Sequence, residues 1–397
     1  MVTALPVVIT MFKGRTVFAQ VLDFVPFKHF EYLSLKFAAN HWSKTLPAWS
    51  HFVCLAYAQI TRREGLRDLV ACLNCHRSRL YHLGIRHRIS RSTLADASER
   101  RNWQLFEALG QKLIIQALAL YQADALPLGL KEPLYAMDST VIDLCLSLFP
   151  WAEFRKGKAA IKAHTVIDLR GCIPVFLSIT EGRVSDINLL GEIALPEQAT
   201  VVLDRGYIDF ARLHALKQRK INFVVRSRDN LRHRVLDRYE VDESTGVRAD
   251  ERITLTYPTS HQAYSDDLRR VQFYDDIHGV EMAFLTNRWD LSALTIAQIY
   301  KQRWKIELFF KWLKQNLSVK HFFGNSINAV KSQIWIAVCV YLMTLIAHKT
   351  LKLELSLQLF LHLLEVNMFE KISIKDMVHH ALSAEPDPSL DSQMELI

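Results

Sequence analysis

The sequence predicts a mixed α/β protein, and three observations lead to this prediction. Residues 11 to about 130 carry apolar residues at helical spacing, as in FAQVLDFV and LRDLVACL. From Pro133 onward, short runs rich in β-branched residues alternate with turns and short helical segments. Half of the 397 residues are hydrophobic and 23% are charged, which indicates a globular chain with room for two or three domains.

Residues 1–130 are expected to form a helical region that binds DNA. From Arg62 to Arg101, ten arginines and no lysine stand against four acids, and the whole chain has a formal net charge of +8. The segment near Ser90 opens with Thr93 and Asp96 at capping-box spacing and is predicted to continue as one long amphipathic helix. Short arginine-rich helices followed by a capped helix suit a DNA-binding module. A basic helical bundle without a DNA role is the alternative.

Residues 131–228 are predicted to form the first part of a sheet-based core. LYAMDSTVIDL is one strand, and AIKAHTVIDL and IPVFLSIT form a pair joined at Arg170-Gly171. A short helix (DINLLGEIAL), a buried strand (ATVVLD), a helix (FARLHALKQR) and a strand (INFVVRSR) follow. A three-strand meander followed by helix, strand, helix and strand is the element order of the ribonuclease-H-like fold.

The remaining chain is predicted to complete this core after an interruption. Residues 229–288 read as a β-rich insertion with candidate strands RITLTY, RRVQFY and VEMAFLT, and residues 289–350 as the second part of the core. The apolar run Ile334 to Ala347 is too short to cross a bilayer, so we expect a buried helix. Residues 351–397 are predicted to be a helical tail with an acidic end.

Three acids are candidates for one site. Asp138 lies inside the first strand and Asp204 at the carboxyl end of VVLD, the next strand expected beside it. Parallel neighbours with acids at matching heights bring two carboxylates together, and a helix carrying Glu307 is expected to add a third. The rival acids fit less well: Asp143 has the opposite strand parity, Asp168 sits beside a hairpin turn, and Asp186 and Asp209 resemble helix N-caps.

The run from Tyr300 to Gln315 is predicted to be one helix. At about 100° per residue, Tyr300, Arg303, Glu307, Lys311 and Lys314 fall within an arc of roughly 80°, with aromatic residues on both sides. A solvated charged face is the ordinary interpretation of such a stripe. The flanking aromatic residues and the lone acid favour instead a metal-held carboxylate beside a polyanion.

The spacing of Tyr300, Arg303, Glu307 and Lys314 resembles the Tyr-Arg-Glu-Lys signature of DDE transposases of the IS4 family. The motif Asp138-Ser139-Thr140, the text KAAIKAHTVID and the motif that begins with Asp204 (DRGY) look like further blocks of this family. The resemblance covers roughly Pro133 to Leu342. It implies a ribonuclease-H-like catalytic core, and insertions at the place predicted here also occur in the family.

The resemblance implies an enzyme that binds element ends, cuts DNA and transfers the strand. Asp138, Asp204 and Glu307 would be catalytic and would hold Mg²⁺, with two ions expected and Mn²⁺ as a substitute, because hard cations prefer carboxylate oxygens. Contacts to DNA are expected from Tyr300, Arg303, Lys311, Lys314 and Arg205. The expected partners are double-stranded DNA, as terminal inverted repeats and as target, and a second copy of the chain on DNA. No membrane is expected, and we expect a bacterial, cytoplasmic and nucleoid-associated protein.

Some alternatives stay open at this level. A metal-dependent nuclease without strand transfer would use the same acids, and a DNA-binding remnant would not cut. Lys158, Lys162 and His164 are either further phosphate contacts or a solvated hairpin face. Insertions in the family often supply an aromatic residue that holds a flipped base, and the candidates here are Trp289, Tyr264 and Tyr257.

Overall fold

The computed structural model describes residues 14–41, 43, 45–317 and 321–383. The chain packs as two compact units. Residues Tyr121–Lys311 form the sheet unit, and the described residues up to Leu120 and from Trp312 onward form the helical unit. The predicted partition into five segments stays a prediction. The start of the chain and its acidic end lie outside the described residues.

The described part of the helical unit begins with seven helices and continues with three more at its C-terminal side. The first seven are α1 (Val17–Leu22), α2 (Phe27–Lys36), α3 (Ala48–Ile60), α4 (Leu66–Cys75), α5 (Arg77–Leu80), α6 (Arg91–Arg100) and α7 (Gln104–Tyr121). In chain order, α8 (Phe210–Gln218), α9 (Pro258–Ala263), α10 (Ala293–Lys301) and α11 (Trp304–Asn316) follow, and then α12 (Ile327–Leu351), α13 (Leu357–Asn367) and α14 (Ile374–Ser383).

Helix α12 is the core of the helical unit. It packs against α3, α6 and α13, and Ser326 caps its first turn. The helix is 25 residues long and extends beyond the predicted apolar run on both sides. Its length and composition would suffice to cross a membrane, so the length of the run does not exclude a membrane span, contrary to the prediction. Its most apolar window is 94% buried inside the protein, as expected for the core helix of a globular unit.

The single long helix predicted from Thr93 is also wrong. Ser90 caps α6 by accepting a hydrogen bond from the Thr93 amide, and α6 ends before Arg101. The buried Arg101 is extended, and its guanidinium donates to the carbonyls of Ala39 and Leu46. The side chain of Asn102 then caps α7. A tertiary contact of one arginine therefore divides the helical pattern in two.

The sheet unit is built on one sheet of ten strands among its described residues. The strands are β1 (Leu134–Leu144), β2 (Glu153–Arg155), β3 (Lys158–Asp168), β4 (Ile173–Glu181), β5 (Thr200–Leu203), β6 (Asn222–Arg226), β7 (His233–Tyr239), β8 (Val247–Leu255), β9 (Leu268–Asp275) and β10 (Val280–Thr286). Their order across the sheet is β2, β3, β1, β5, β6, β10, β9, β8, β7, and β4 also pairs with β3.

The half of the sheet that contains β1 fits a ribonuclease-H-like core. Strands β1, β3 and β4 form the predicted antiparallel meander, with β1 and β5, and β5 and β6, parallel. Helix α8 connects β5 to β6 as predicted, and Asp209 caps it. One face of these strands is covered by a cluster of buried apolar residues from the strands, α8 and the segment Asp186–Gly191. The short helix predicted there is present as a 3-10 helix.

Strands β7 to β10 extend the same sheet. Strand β10 pairs antiparallel with β6, and β9, β8 and β7 follow, each antiparallel to its neighbour. The strands predicted within residues 229–288 are therefore present. Two ion pairs join β8 to β9, between Arg269 and Asp250 and between Arg270 and Glu251, and three of the four side chains are less than a tenth exposed.

Candidate active site

Asp138 and Asp204 lie at matching positions on neighbouring parallel strands. The register between β1 and β5 pairs Ala136 with Val202, and each acid follows its paired residue by two positions. Because side chains alternate along a strand, both acids lie on the same face of the sheet. The short apolar strand β5 ends at Leu203, so Asp204 starts the turn that follows it. The predicted pairing of these two acids is present.

Tyr300 and Glu307 reach the site from two different helices, and Arg303 reaches it from the turn between them. Helix α10 ends at Lys301 and α11 begins at Trp304, so the single predicted helix is broken. The junction is a tight turn, in which the Arg303 amide donates to the Tyr300 carbonyl and the Ile306 amide donates to the Arg303 carbonyl. Such bonds keep the chain close to helical. Tyr300, Arg303 and Glu307 therefore still face the same site.

The guanidinium of Arg303 joins two of the three acids. One terminal nitrogen donates to Asp138 Oδ2 at 3.0 Å and the other to Glu307 Oε1 at 2.6 Å. The Tyr300 hydroxyl donates to Asp204 Oδ1 at 3.3 Å. The Ser139 amide donates to Asp138 Oδ1 at 2.8 Å. Arg303 thus joins Asp138 and Glu307, Tyr300 bonds to Asp204, and the Arg303 guanidinium lies 5.7 Å from the centre of the Tyr300 ring.

The electrostatics of this group centre on Asp138. Burial raises the pKa of Asp138 to about 6, and the charges of Asp204 and Glu307 contribute to the rise. The Ser139 amide and the Arg303 guanidinium act in the opposite direction. Burial alone would lower the pKa of Arg303, but Tyr300, Glu307 and Asp138 raise it by more than burial lowers it. The net shift of this pKa is upward, so the guanidinium stays charged. The acidic group therefore holds one internal cation.

The donor set fits a hard divalent cation. Three carboxylates supply only oxygen ligands, the kind that Mg²⁺ and Mn²⁺ accept. Burial is the main cause of the raised pKa of Asp138, so a cation beside it would stabilise its charged form. Among the described residues, however, no three acidic, histidine or cysteine side chains already converge as a metal cage. Arg303 supplies the positive charge in this arrangement.

The basic residues expected to bind DNA have different surroundings. Arg205 is exposed directly after Asp204 and lines a cavity of 480 Å³ together with Gly206, Arg228, Asp229 and Asn230. Lys311 is exposed on α11, one turn after Glu307. Lys314 follows on the same helix and belongs to the helical unit.

Comparison with known proteins decides the family. Residues 129–343, more than half of the chain, match the model of the transposase DDE domain. The chain belongs to this family of DDE transposases. Residues 13–86 match a second model, a domain of unknown function (DUF4372).

Three curated relatives of this chain are insertion-sequence or putative transposases. A probable transposase for insertion sequence element IS5377 from Geobacillus stearothermophilus is 32% identical over 53% of this chain and 56% of its own length. Putative transposase y4zB from Sinorhizobium fredii is 30% identical over 60% of this chain and 67% of its own length. A putative transposase for insertion sequence element IS4SA from Synechocystis is 26% identical over 63% of this chain and 70% of its own length.

The match therefore spans little more than half the length of the first of these relatives. Among solved structures, a piggyBac transposase synaptic complex with hairpin DNA aligns with 97% of this chain and 84% of that chain. The TM-score is 0.44 at 12% identity, which is too low to carry an argument.

The transposase core contains a polar cluster that the sequence did not reveal. Lys162 Nζ and His164 Nδ1 each lie 3.3 Å from Asp186 Oδ1. Of the two alternatives left open for these residues, the solvated hairpin face does not hold for His164, which is fully buried. Asp186 is not a helix N-cap either, since Ser185 occupies that position. Lys158 is exposed. In the sequence, the available signal was a histidine two residues after a lysine on a predicted strand.

The aromatic residues suggested for a flipped base also separate in the transposase structure. Tyr264 is fully buried and packs edge-on against Phe223, so it is a core residue. Tyr257 is 48% exposed and Trp289 is 44% exposed. Tyr257 lines a cavity of 320 Å³ together with Arg228 and Arg232, and the Arg232 guanidinium lies 5.7 Å from the centre of its ring.

Proposed function

We propose that this chain is an IS4-type transposase that cuts DNA at the ends of an insertion sequence and joins the freed 3′-hydroxyl to target DNA. The observation that supports the proposal is that Arg303 bonds to Asp138 and Glu307 while Tyr300 bonds to Asp204, so each of the three acids has a partner in the segment from Tyr300 to Arg303. Tyr300, Arg303 and Glu307 belong to the spacing that resembles the family signature, and Asp138 and Asp204 belong to two further motifs that resemble family blocks. Phosphodiester cleavage and strand transfer use the same site, because both are in-line displacements at phosphorus.

Asp138, Asp204 and Glu307 would hold the metal ions, Mg²⁺ in the cell and Mn²⁺ in its place in vitro. When bound, the ions supply an activated oxygen nucleophile and stabilise the leaving oxygen. The protein's own part is to present carboxylate oxygens from two adjacent strands and one helix. Asp138 must be ionised to do so; with a pKa of about 6 it is mostly ionised at neutral pH, and a bound cation would stabilise that charged form.

Arg303 and Tyr300 would hold DNA phosphates beside the acids. A guanidinium fork forms bidentate bonds to phosphate, and a phenol donates one hydrogen bond. In the DNA-free protein Arg303 is engaged with two acids, so phosphate and metal together would replace these bonds. Arg205, Lys311 and Lys314 would add phosphate contacts from the exposed surface, as the positive charge of the chain suggests.

The helical unit would bind the terminal inverted repeats, supported by the arginines between Arg62 and Arg101. Two ends must be joined in one complex, so we expect two copies of the chain on DNA. The protein would act on chromosomal DNA in the bacterial cytoplasm. For a base flipped out of the duplex, Tyr257 is the stronger candidate than Trp289, because Tyr257 lines a cavity together with two arginines.

The test uses a plasmid with the element's own ends, purified protein and Mg²⁺. Wild-type protein is expected to produce excised and joined products, and Glu307→Gln and Asp204→Asn are expected to bind the ends without cutting. Asp143→Asn is the matched control, because Asp143 is an exposed acid on the same strand as Asp138. Cleavage without joining would indicate a nuclease, and tight end binding without cleavage by the wild type would indicate a DNA-binding remnant.

A further inference from the structure

Four arginines at or just after the carboxyl ends of β5 and β6 have no acidic partner in the described part of the chain. They are Arg205, Arg226, Arg228 and Arg232. Most other arginines of the sheet unit pair with an acid, as Arg269 does with Asp250. A guanidinium without a counter-charge can bind a phosphate through two parallel hydrogen bonds. The four arginines are therefore candidates for contacts to a polyanion.

Arg226 lies in the same row of the sheet as the proposed metal ligands. Asp204 and Arg226 each follow directly after a register pair of the parallel strands β5 and β6, formed by Leu203 and Val225. Asp204 keeps an extended backbone, with φ −80° and ψ 164°, so the two side chains leave the sheet on the same face. Adjacent strands lie about 4.8 Å apart. Arg226 is thus the neighbour of Asp204 on the side away from Asp138.

Tyr300 contacts the residues on both sides of Arg226. Arg226 pairs with Phe284 of β10, and the ring centres of Phe284 and Tyr300 lie 4.6 Å apart. On the other side, the Tyr300 hydroxyl donates to Asp204 Oδ1 at 3.3 Å. Tyr300 therefore lies over the strand that carries Arg226. A phosphate bound by the Tyr300 hydroxyl would lie within reach of the Arg226 guanidinium.

Arg228 lies between two cavities on the surface of the sheet unit. One cavity of 480 Å³ is also lined by Arg205, and one of 320 Å³ is also lined by Arg232 and Tyr257. The Nη2 atom of Arg228 donates to the Ile208 carbonyl at 3.3 Å, which holds the guanidinium against the turn that follows β5. Its other nitrogen atoms stay available to a ligand. Arg228 thus connects the two cavities into one basic surface.

The charge of this surface favours an anion with repeated phosphates. Residues 226–232 contain three arginines and one acid, Asp229, which lines the larger cavity. Arg226 and Arg228 are separated by one residue, or about 7 Å along an extended chain. The Ser227 amide between them donates to the Ala283 carbonyl of β10, so the chain stays attached to the sheet at this point. The arginines therefore stand in a line and not in a cluster around one point.

We propose that Arg226, Arg228 and Arg232 form an arginine track that binds successive phosphates of the DNA strand leading from the metal site to the cavity beside Tyr257. This inference rests on the proposed function. Arg226 binds the phosphate next to the metal site, beside Tyr300, and Arg228 binds the next phosphate along the strand. Phosphate contacts fix the position of a strand without reading its sequence. The arginine track therefore positions the DNA end and does not select it.

The first measurement is binding of the full-length protein to a duplex with the element's own end, by gel shift in chelator at several salt concentrations. Arg226→Gln and Arg228→Gln are each expected to weaken binding about 10- to 100-fold. Each is also expected to reduce the slope of log K against log salt concentration by about 0.9, the value of one phosphate contact. A wild-type affinity and slope in either variant would overturn the proposal.

Arg155→Gln is the matched control for the loss of one charge. Arg155 is an exposed arginine without an ion pair in the described part of the chain, and it lies on β2, four strands away from β6. The control is expected to bind the end with the wild-type affinity and slope. Equal losses in Arg155→Gln and in the track variants would show a general effect of net charge and would contradict the arginine track.

The second measurement identifies the phosphates. A methylphosphonate, which carries no charge, replaces one phosphate at a time along both strands of the end. At the phosphate that Arg226 contacts, the neutral linkage and Arg226→Gln together are expected to cost less than the two separate losses added, because both remove the same contact. Arg228→Gln is expected to couple in the same way to the adjacent phosphate of the same strand. Additive losses at every position, or coupling to phosphates that are not adjacent, would overturn the proposal.

Cleavage by the wild type separates this proposal from the proposed function. If the wild type excises and joins the end while both track variants bind like Arg155→Gln, the arginine track is wrong and the proposed function stands. If the wild type neither binds nor cuts the end, the proposed function itself fails. Thermal unfolding of each variant shows that the losses do not come from misfolding, and Arg226→Lys, which keeps the charge, is expected to restore the salt slope.

Discussion

Replacing Asp138 by asparagine is expected to stabilise the metal-free protein at neutral pH. The pKa of Asp138 is about 6 in the folded protein against an ordinary value of 3.8. A raised pKa in an acid means that the folded protein disfavours the charged form. The free energy by which ionised Asp138 destabilises the fold is fully present above pH 6, falls as the pH drops from 6 to about 4, and is absent below about pH 4. Asparagine resembles the protonated acid and carries no such cost.

The size of the effect follows from the pKa. A rise from 3.8 to about 6 corresponds to about 3 kcal/mol, at roughly 1.4 kcal/mol for each tenfold change in proton affinity. The side chain is only 23% exposed, so solvent screening reduces this value little. For a unit the size of Tyr121–Lys311, about 3 kcal/mol shifts the unfolding temperature by roughly 6 to 12 °C.

The assay is thermal unfolding of wild type and Asp138→Asn in chelator at several pH values from 4 to 8. We expect the variant to unfold at the higher temperature at pH 7.5 and the two curves to converge near pH 4. Saturating Mg²⁺ is expected to stabilise the wild type alone, by about 2.7 kcal/mol at 100 times the dissociation constant. A variant that is less stable at pH 7.5, or a difference that is independent of pH, would refute the reasoning.

Three further outcomes are expected. Arg303→Gln removes the internal cation, so the DNA-free protein is expected to bind Mn²⁺ at least about tenfold more tightly, while its binding to the element ends weakens. Calorimetry measures the Mn²⁺ affinity and gel shifts measure the binding to the ends. An unchanged Mn²⁺ affinity would contradict the expectation. Gly110→Ala places a Cβ 2.8 Å from the Trp335 ring and is expected to cost about 1 to 3 kcal/mol of stability in urea unfolding, without changing Mn²⁺ affinity. Tyr257→Ala is expected to weaken binding to the element ends by about 1 to 3 kcal/mol. It is also expected to abolish the fluorescence rise that 2-aminopurine at the element end shows when its base is unstacked. Tyr257→Phe is expected to keep the wild-type affinity and the fluorescence rise.

Much of the sheet and the pairing of two acids were predictable from local sequence pattern. The strand around Asp138, the hairpin at Arg170-Gly171 and the buried strand before Asp204 each carry a clear period or turn signal. Once β1 and β5 are parallel neighbours, the register brings Asp138 and Asp204 together without further information. Local pattern and sheet geometry agree here: the two acids follow register partners on neighbouring parallel strands, as predicted, and their catalytic role stays a prediction.

The helix boundaries were not predictable in the same way, because distant contacts set them. The helical pattern continues past Arg101, but its guanidinium binds two carbonyls of an earlier loop and the chain leaves the helix there. Asp186 has the spacing of an N-cap, yet it bonds to Lys162 and His164 on a strand more than twenty residues earlier in the chain. Sequence spacing contains no information about such partners.

Arg303 has a different role in the structure from the one that the spacing of Tyr300, Arg303, Glu307, Lys311 and Lys314 predicts. From spacing, its guanidinium is one of several groups free to bind phosphate, and Glu307 is a lone acid among them. In the structure the two are partners, and Arg303 also neutralises Asp138. The same side chain therefore lowers the cost of holding the acids close together and competes with any cation that binds them. A phosphate that draws Arg303 away would leave the acids in need of another cation, so binding of DNA and of metal should favour each other at this site.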